Sequence, residues 1–491
     1  MEALKKLANQ TVIYGLSSVV GRLLNYLLVP LYTRIFIPSE YGIVTEFYAY
    51  ISILSVILMY GMETTYFRFV NNDNKDNSTF PTAMFSIFTS SVLFLLLIIL
   101  FKDSISSAIG YPDKEEYIII FGLILSIDAI TTIPFAKLRQ ENKAFHFAII
   151  KLINIGTNIF FNIFFLVICP YLEKKGYDLS YVYDRNLGIL YIFISNLIST
   201  GITFLLLIPE FLRVDFKFSY SLWKKMLRYG FPLLLVGMAG MVNETFDRLM
   251  IKYLIVDQAS AMVQLGIYGA CYKIAILMTI FTQTFRFAAE PFFFAEYKNK
   301  SPEILYGLVT KYFVIIGCLI FLLVMLYFDI VKLFIGKAYY DGLDIVPILL
   351  FANLFLGIYY NLSVWYKVKN KTGYGAVISI IGALLTLLLN FILIPLLGYY
   401  GAAITTFVCY LVMTIISYVW GQRIYPVKYD LISIVVYMVA AYVIYFISDA
   451  LKDLLGYSSS VMYYVNTLLL IVYIALIVLK EKITLRKKFF L

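Results

Sequence analysis

Apolar residues fall along this chain in long unbroken runs, most of about 18 to 22 residues, separated by short polar segments from residue 11 to residue 479. A helix of that length crosses the ~30 Å hydrocarbon core of a bilayer. About fourteen such spans are predicted, near 11–31, 43–61, 80–101, 117–136, 146–169, 188–208, 229–251, 266–288, 305–328, 346–366, 375–394, 400–420, 431–447 and 461–479. No polar segment between them is long enough to fold as a soluble domain. The chain therefore reads as an all-α integral membrane protein, because in hydrocarbon a helix satisfies its own backbone hydrogen bonds.

Composition agrees. Of 491 residues, 62% are hydrophobic and 14% charged, with a mean hydropathy of +0.85, which sets the chain apart from ordinary soluble enzymes. The net charge of +10 does not require a nucleic-acid partner. Basic residues concentrate in alternate loops, at Lys137/Arg139/Lys143, at 213–228, at Lys367/Lys369/Lys371 and at 480–488. That asymmetry predicts cytoplasmic positions for those segments and for both termini. Residues 1–10 read as a short basic head before a retained first span rather than a cleaved leader. Cys169, Cys271, Cys318 and Cys409 lie in apolar runs at spacings that fit no metal motif, and are expected to pack as small hydrophobes.

The chain also shows an internal echo. Lys5-Lys6 and Tyr14-Gly15 before the first span resemble Lys224-Lys225 and Tyr229-Gly230 before the seventh, and Gly42-Ile43 with Tyr48 recurs as Gly266-Ile267 with Tyr272. Asn162, Pro170 and Gly188 loosely echo Asn390, Pro395 and Gly401. Six-span repeats are a common transporter construction. The expected division is an N-terminal bundle at 1–210, an amphipathic interfacial linker at 211–228, a second bundle at 229–424, and two additional spans with a basic tail at 425–491.

Three stretches carry a family resemblance. Pro38-Ser39-Glu40-Tyr41-Gly42-Ile43 with Gly61-Met62-Glu63 and Arg68, the eighth-span pattern Gly266-Ile267-Tyr268 with Tyr272-Lys273-Ile274, and Asn390-Phe391, Ile394-Pro395, Gly398, Gly401-Ala402-Ala403, Thr405 and Thr406 occur in order. Together they resemble the polysaccharide-biosynthesis, O-antigen-type flippases of the multidrug/oligosaccharidyl-lipid/polysaccharide exporter superfamily. The resemblance implies two six-helix bundles in a V around a central cavity, with two C-terminal helices added. It also implies that basic cavity residues hold an anionic lipid-diphosphate head group.

Polar residues inside the spans carry the candidate chemistry, since an ionisable side chain there costs about 2.5 to 3.5 kcal/mol on insertion scales and usually faces a bundle interior or water. Tyr14, Ser18, Arg22 and Asn25 share one face of the first span, and Lys151, Asn154, Asn158 and Asn162 one face of the fifth. Those stripes line a hydrated cavity or glue helices together by hydrogen bonds. Arg22, Asn25, Arg68, Lys151, Asn154, Asn158, Lys273 and Arg286 are the substrate-binding candidates, although Arg68 also suits an ordinary interfacial site and Arg286 a pair with Glu290. A cationic cavity suits phosphate oxygens or acidic sugars. Asp128, Glu244 and Asp247 are the ion-coupling candidates, with Glu244 positioned to pair with Arg248 at i,i+4. His146 reads as a surface residue, and the Asp341/Asp344 loop matches no calcium spacing.

The reading is a non-enzymatic flippase in the bacterial inner membrane. It moves an undecaprenyl-diphosphate-linked oligosaccharide by alternating access, and its expected partners are that lipid-linked cargo, membrane lipids and a glycan polymerase of the same pathway. No cofactor, metal or nucleotide is expected, as no phosphate-binding glycine loop is present. The rivals are a cation-coupled multidrug exporter of the same superfamily, which wants an acidic cavity, and a glycan polymerase, which wants a larger outer loop than residues 170–187.

Overall fold

The computed structural model describes residues 23–72, 78–212, 217–297, 302–455 and 459–489. Among these the chain is helical without strands, and the apolar runs are the helices. In order they are α1 (Val29–Ile35), α2 (Pro38–Met59), α3 (Met62–Asn72), α4 (Thr79–Leu100), α5 (Lys102–Ala108), α6 (Glu115–Gln140), α7 (Ala144–Ile163), α8 (Cys169–Lys174), α9 (Leu190–Leu212) and α10 (Tyr220–Leu254). There follow α11 (Gln258–Ile274), α12 (Ile276–Glu296), α13 (Pro302–Leu326), α14 (Phe328–Val331), α15 (Val346–Leu362), α16 (Val364–Val368), α17 (Gly373–Leu397), α18 (Tyr399–Ile424), α19 (Leu431–Leu455) and α20 (Ser459–Phe489). Twelve helical segments among the described residues are long and apolar enough to cross a membrane, or thirteen with α11 and α12 counted as one span bent by 50°. The first expected span lies largely outside the described residues.

Element ends follow local chemistry. Pro38 opens α2 where its missing N–H costs nothing, and Glu40 accepts from the Ile37 N–H at 3.1 Å, so the helix begins five residues before the expected span. Tyr60 and Gly61, both at positive φ, separate α2 from α3. The stretch expected as an interfacial linker runs from Tyr220 without a break into the seventh span, so α10 is one helix of 35 residues.

Two compact units divide the chain, residues 1–266 and 267–491. In the first, α4 packs on α6, α9 on α6 and α7, and α10 on α2. Leu58, Met62, Tyr66, Met84, Ile87, Ile133 and Met226 form a core shared by α2, α3, α4, α6 and α10. Such burial brings α10 into this unit. In the second, α18 packs on α15 and α17, α12 on α15, and α19 on α13. Large apolar side chains left exposed, such as Leu96, Leu205, Leu388 and Val435, are the surface a bilayer covers.

The last two helices are held by polar contacts. Lys311 of α13 meets Glu481 of α20 at 2.6 Å, Tyr437 of α19 donates to the same carboxylate at 2.7 Å, and Ser448 donates to Asn466 at 2.6 Å. Asp329, outside the spans, meets Lys332 at 2.5 Å and Lys452 at 3.1 Å.

Candidate functional site

The fifth-span stripe forms the spine of a polar seam inside the first unit. Lys151, Asn154, Asn158 and Asn162 share one face of α7, and each finds a partner from another element or another turn. The Asn154 amide donates to Thr203 of α9 at 2.9 Å, and the Asn158 amide to the Asn25 side chain at 3.2 Å. Asn162 is fully buried, donates to the Asn158 carbonyl at 2.8 Å and accepts from Tyr32 of α1 at 2.8 Å. A buried amide left unpaired costs about 1–3 kcal/mol, so these bonds fix how α1, α7 and α9 pack.

The seam continues to Asp128 on α6. Asn196 of α9 donates to Tyr48 of α2 at 3.3 Å, the Thr200 hydroxyl donates to the Asn196 side-chain oxygen at 3.5 Å, and Thr200 lies beside the Asp128 carboxylate. The hydroxyls of Thr131 and Thr132 bond the Asp128 backbone carbonyl, both at 3.0 Å. Lys151 acts on Asp128 through its charge without closing to a direct ion pair, and its ammonium lies 4.1 Å from the centre of the Phe135 ring. An exposed carboxylate on a membrane helix, with Thr200 and a lysine charge beside it, is suited to take up a proton or a small cation in competition with that lysine.

The remaining sequence candidates are dispersed. Arg22 lies outside the described residues. Arg68 is exposed and stacks 4.2 Å over the Tyr229 ring. Lys273 is half-buried, two residues before the bend between α11 and α12. Arg286 meets Glu290 at 3.5 Å and the Tyr360 ring at 4.5 Å, while Glu290 is also paired with Lys367. Glu244 and Arg248 do not pair through their side chains. Arg248 donates to the Glu244 backbone carbonyl at 2.7 Å and turns its charge to Asp247 at 3.2 Å. Asp247 is buried and Glu244 exposed, so the desolvated carboxylate has the greater need of the cation. His146 is exposed.

Two groupings were not anticipated. Glu46 of α2 is fully buried against Lys252 of α10 at 2.5 Å, Tyr111 also donates to it, and Lys252 reaches the Ile109 carbonyl at 2.5 Å. Burial pushes the Tyr111 hydroxyl well above its ordinary range, with the Glu46 charge adding to the effect. A lone glutamate in an apolar run was the available signal, but its partner is 206 residues away. Second, the basic loop Lys137/Arg139/Lys143 is partly neutralised. Arg139 pairs with Glu63, Lys137 with Glu210 at 2.9 Å and Lys143 with Glu141 at 2.6 Å. No cluster of three or more metal-ligating side chains occurs among the described residues.

Comparison with known proteins gives the context. Residues 7–295 match the model of a family described as polysaccharide biosynthesis protein. The capsular polysaccharide biosynthesis protein CapF of Staphylococcus aureus is 23% identical over 365 residues, covering 72% of this chain and 85% of that one. The fold is similar to that of the lipid II flippase MurJ in an inward closed conformation, with a TM-score of 0.71 and 14% identity over 95% of this chain and 98% of the other. It is also similar to an inward-facing multidrug resistance MATE family transporter of the MOP superfamily, with a TM-score of 0.64 and 15% identity over 84% and 94%. Identities this low bear on the fold alone.

Proposed function

From the premise that this chain belongs to the polysaccharide biosynthesis protein family, with a fold of the MOP transporter type, we propose that it is a flippase for an undecaprenyl-diphosphate-linked oligosaccharide, such as a capsule, O-antigen or related unit. It works in the bacterial inner membrane with both termini cytoplasmic, opening to one face and then the other, and hands its cargo to a glycan polymerase of the same pathway. The observation that carries the reading is the family match across more than half of the chain. The name of the capsular relative and the fold shared with a lipid flippase support it. Basic side chains at Lys151, Lys273, Arg68 and Arg286, with Arg22 from the sequence, are the proposed contacts of the diphosphate. Asn25, Asn154 and Asn158 supply neutral hydrogen bonds beside them.

Asp128 is the proposed coupling group, because the seam offers it Thr200 and a neighbouring lysine charge. A proton or sodium ion arriving there weakens its hold on Lys151 and frees that cation for phosphate. Glu244 and Asp247 are secondary candidates, the second restrained by Arg248. The deciding experiment is leaflet accessibility of a labelled undecaprenyl-diphosphate oligosaccharide in proteoliposomes. Wild-type protein translocates it, and Lys151→Ala combined with Lys273→Ala does not. Failure of correctly folded wild type to move any such glycolipid, alongside export of a cationic dye that depends on Asp128, transfers the assignment to multidrug export.

A further inference from the structure

A groove of about 1080 Å³ lies on the first unit, walled by α4 and the beginning of α10. Phe85, Thr89 and Leu93 recur every four residues on the α4 side, and Trp223, Leu227 and Phe231 on the α10 side, so each helix lends it one stripe. Its shape is set by backbone and by held polar groups. Tyr60 donates to or accepts from Ser86 Oγ at 2.7 Å, and Trp223 Nε1 donates to the same oxygen at 2.8 Å, so both rings are anchored by their polar tips. At the α2–α3 break a Cβ on Gly61 would lie 2.9 Å from Leu233, and one on Gly230 would lie 2.9 Å from the Tyr60 carbonyl, so α10 is seated directly on that turn. The groove is therefore preformed, and its volume is at the top of the range for small-molecule sites, about 300–1,000 Å³.

Charge lies at one side of this apolar surface. Arg228 lines the groove, and Lys224 and Lys225 stand one turn earlier on α10. None of the three has an acidic partner among the described residues. Phe218, Tyr220 and Trp223 cluster at the start of the helix, with Phe85 and Phe218 ring centres 5.0 Å apart and Tyr220 and Trp223 5.7 Å apart. Such aromatics sit at the level of lipid head groups. Arg228 is five residues further into α10 than Trp223, about 7.5 Å along the axis. A guanidinium at that depth draws an anionic head group inward, towards the mouth of an apolar channel.

We propose that this groove is the resting site of the cargo's lipid anchor: an isoprenyl chain lies between α4 and α10 and its phosphate sits on Arg228. The assignment rests on the flippase reading, in which the cargo docks by its isoprenyl chain and phosphate before the diphosphate and glycan pass together to the basic residues proposed above, the chain staying in the bilayer. Lys224 and Lys225 add attraction that brings the phosphate to the rim, and the site is separate from the seam around Asp128.

The test uses the full chain in phosphatidylcholine nanodiscs with radiolabelled undecaprenyl phosphate, and phosphatidylglycerol as competitor. Wild type retains the isoprenyl phosphate against an equal amount of phosphatidylglycerol. Arg228→Ala weakens binding about tenfold, as expected for loss of one charge-assisted contact, and Leu93→Trp, which fills the groove from an exposed position, abolishes it. Leu388→Trp, at an exposed apolar position of the second unit, leaves it unchanged, and monodisperse elution of every variant establishes folding. Equal displacement by phosphatidylglycerol, binding indifferent to both groove variants, or no binding by wild type overturns the proposal. Glycolipid translocation measured in parallel separates the two readings. A wild type that translocates at a rate unchanged by Leu93→Trp keeps the flippase and loses the groove. Groove-dependent binding without translocation keeps the site and loses the flippase.

Discussion

Gly42 and Gly266 show how much a single residue can reveal. Both stood out in the sequence because each opens a Gly-Ile pair with a tyrosine following. In the fold each lies against the other's helix: a Cβ on Gly42 would sit 2.2 Å from the Met262 carbonyl, and one on Gly266 would sit 1.8 Å from the Pro38 carbonyl. The two obstructing residues are each four positions before the opposite glycine, so the crossing is reciprocal. Backbone cannot step aside as a side chain can. Gly266→Ala is therefore expected to destabilise by about 3 kcal/mol or more, the upper end of overpacking, whereas Gly156→Ala, with nothing within 4 Å, is neutral or slightly stabilising. Thermal unfolding of the detergent-solubilised protein followed by size exclusion distinguishes them. The Glu46–Lys252 pair makes a second residue-scale prediction. Lys252→Met alone leaves a buried carboxylate uncompensated and costs about 3–5 kcal/mol, while adding Glu46→Gln recovers most of the loss. A double-mutant cycle in unfolding free energy measures it, and additive losses would refute the pairing.

At the scale of elements, most helices were legible as apolar runs, and their departures from expectation have local causes. The eighth span bends at Ala275, which no proline marks, and α10 extends back to Tyr220 because Trp223, Met226 and Leu227 find neighbours on α4 and α6. The final pair of helices is clipped to the body at both ends, by Lys311–Glu481 and by Asp329 with Lys332 and Lys452. The carboxylate of the second clip, Asp329, lies outside the spans, and that clip depends on pH. Hydrogen bonding from Lys332 holds the Asp329 carboxyl below its ordinary value, with Lys452 adding to it. A depressed carboxylate contributes stability above its unfolded pKa of about 3.9 and loses it as pH falls through the folded value. Asp329→Asn is thus expected to lower stability by less than about 1 kcal/mol at pH 7, since the pair is partly solvated. The gap to wild type closes below about pH 4, and melting curves from pH 3 to 7 provide the check.

At the scale of the whole molecule, the prediction concerns energetics of transport. If basic side chains carry the head group, moving net charge through the membrane potential changes the balance of states by about 2.3 kcal/mol per charge per 100 mV. Dissipating the potential in proteoliposomes is then expected to slow turnover, and a rate indifferent to potential would count against charge-coupled movement. Asp128→Asn should reduce dependence on the driving ion more than it reduces glycolipid binding, measured as separate changes in rate and affinity. The sequence by itself determined that the chain spans the membrane repeatedly, where the middle of most described spans falls, and that Lys151, Asn154, Asn158 and Asn162 share a face. These follow from transfer free energy and helical periodicity, which are properties of each residue and its near neighbours. Only the tertiary structure decided that Glu46 meets Lys252, that Arg248 chooses Asp247, that Asn162 is satisfied by Tyr32, and that α4 and α10 wall a groove with Arg228 in its lining. The cost of burying a charge is local and can be read from the chain. The partner that offsets it is set by which helices pack together, and that distance is written nowhere along the chain.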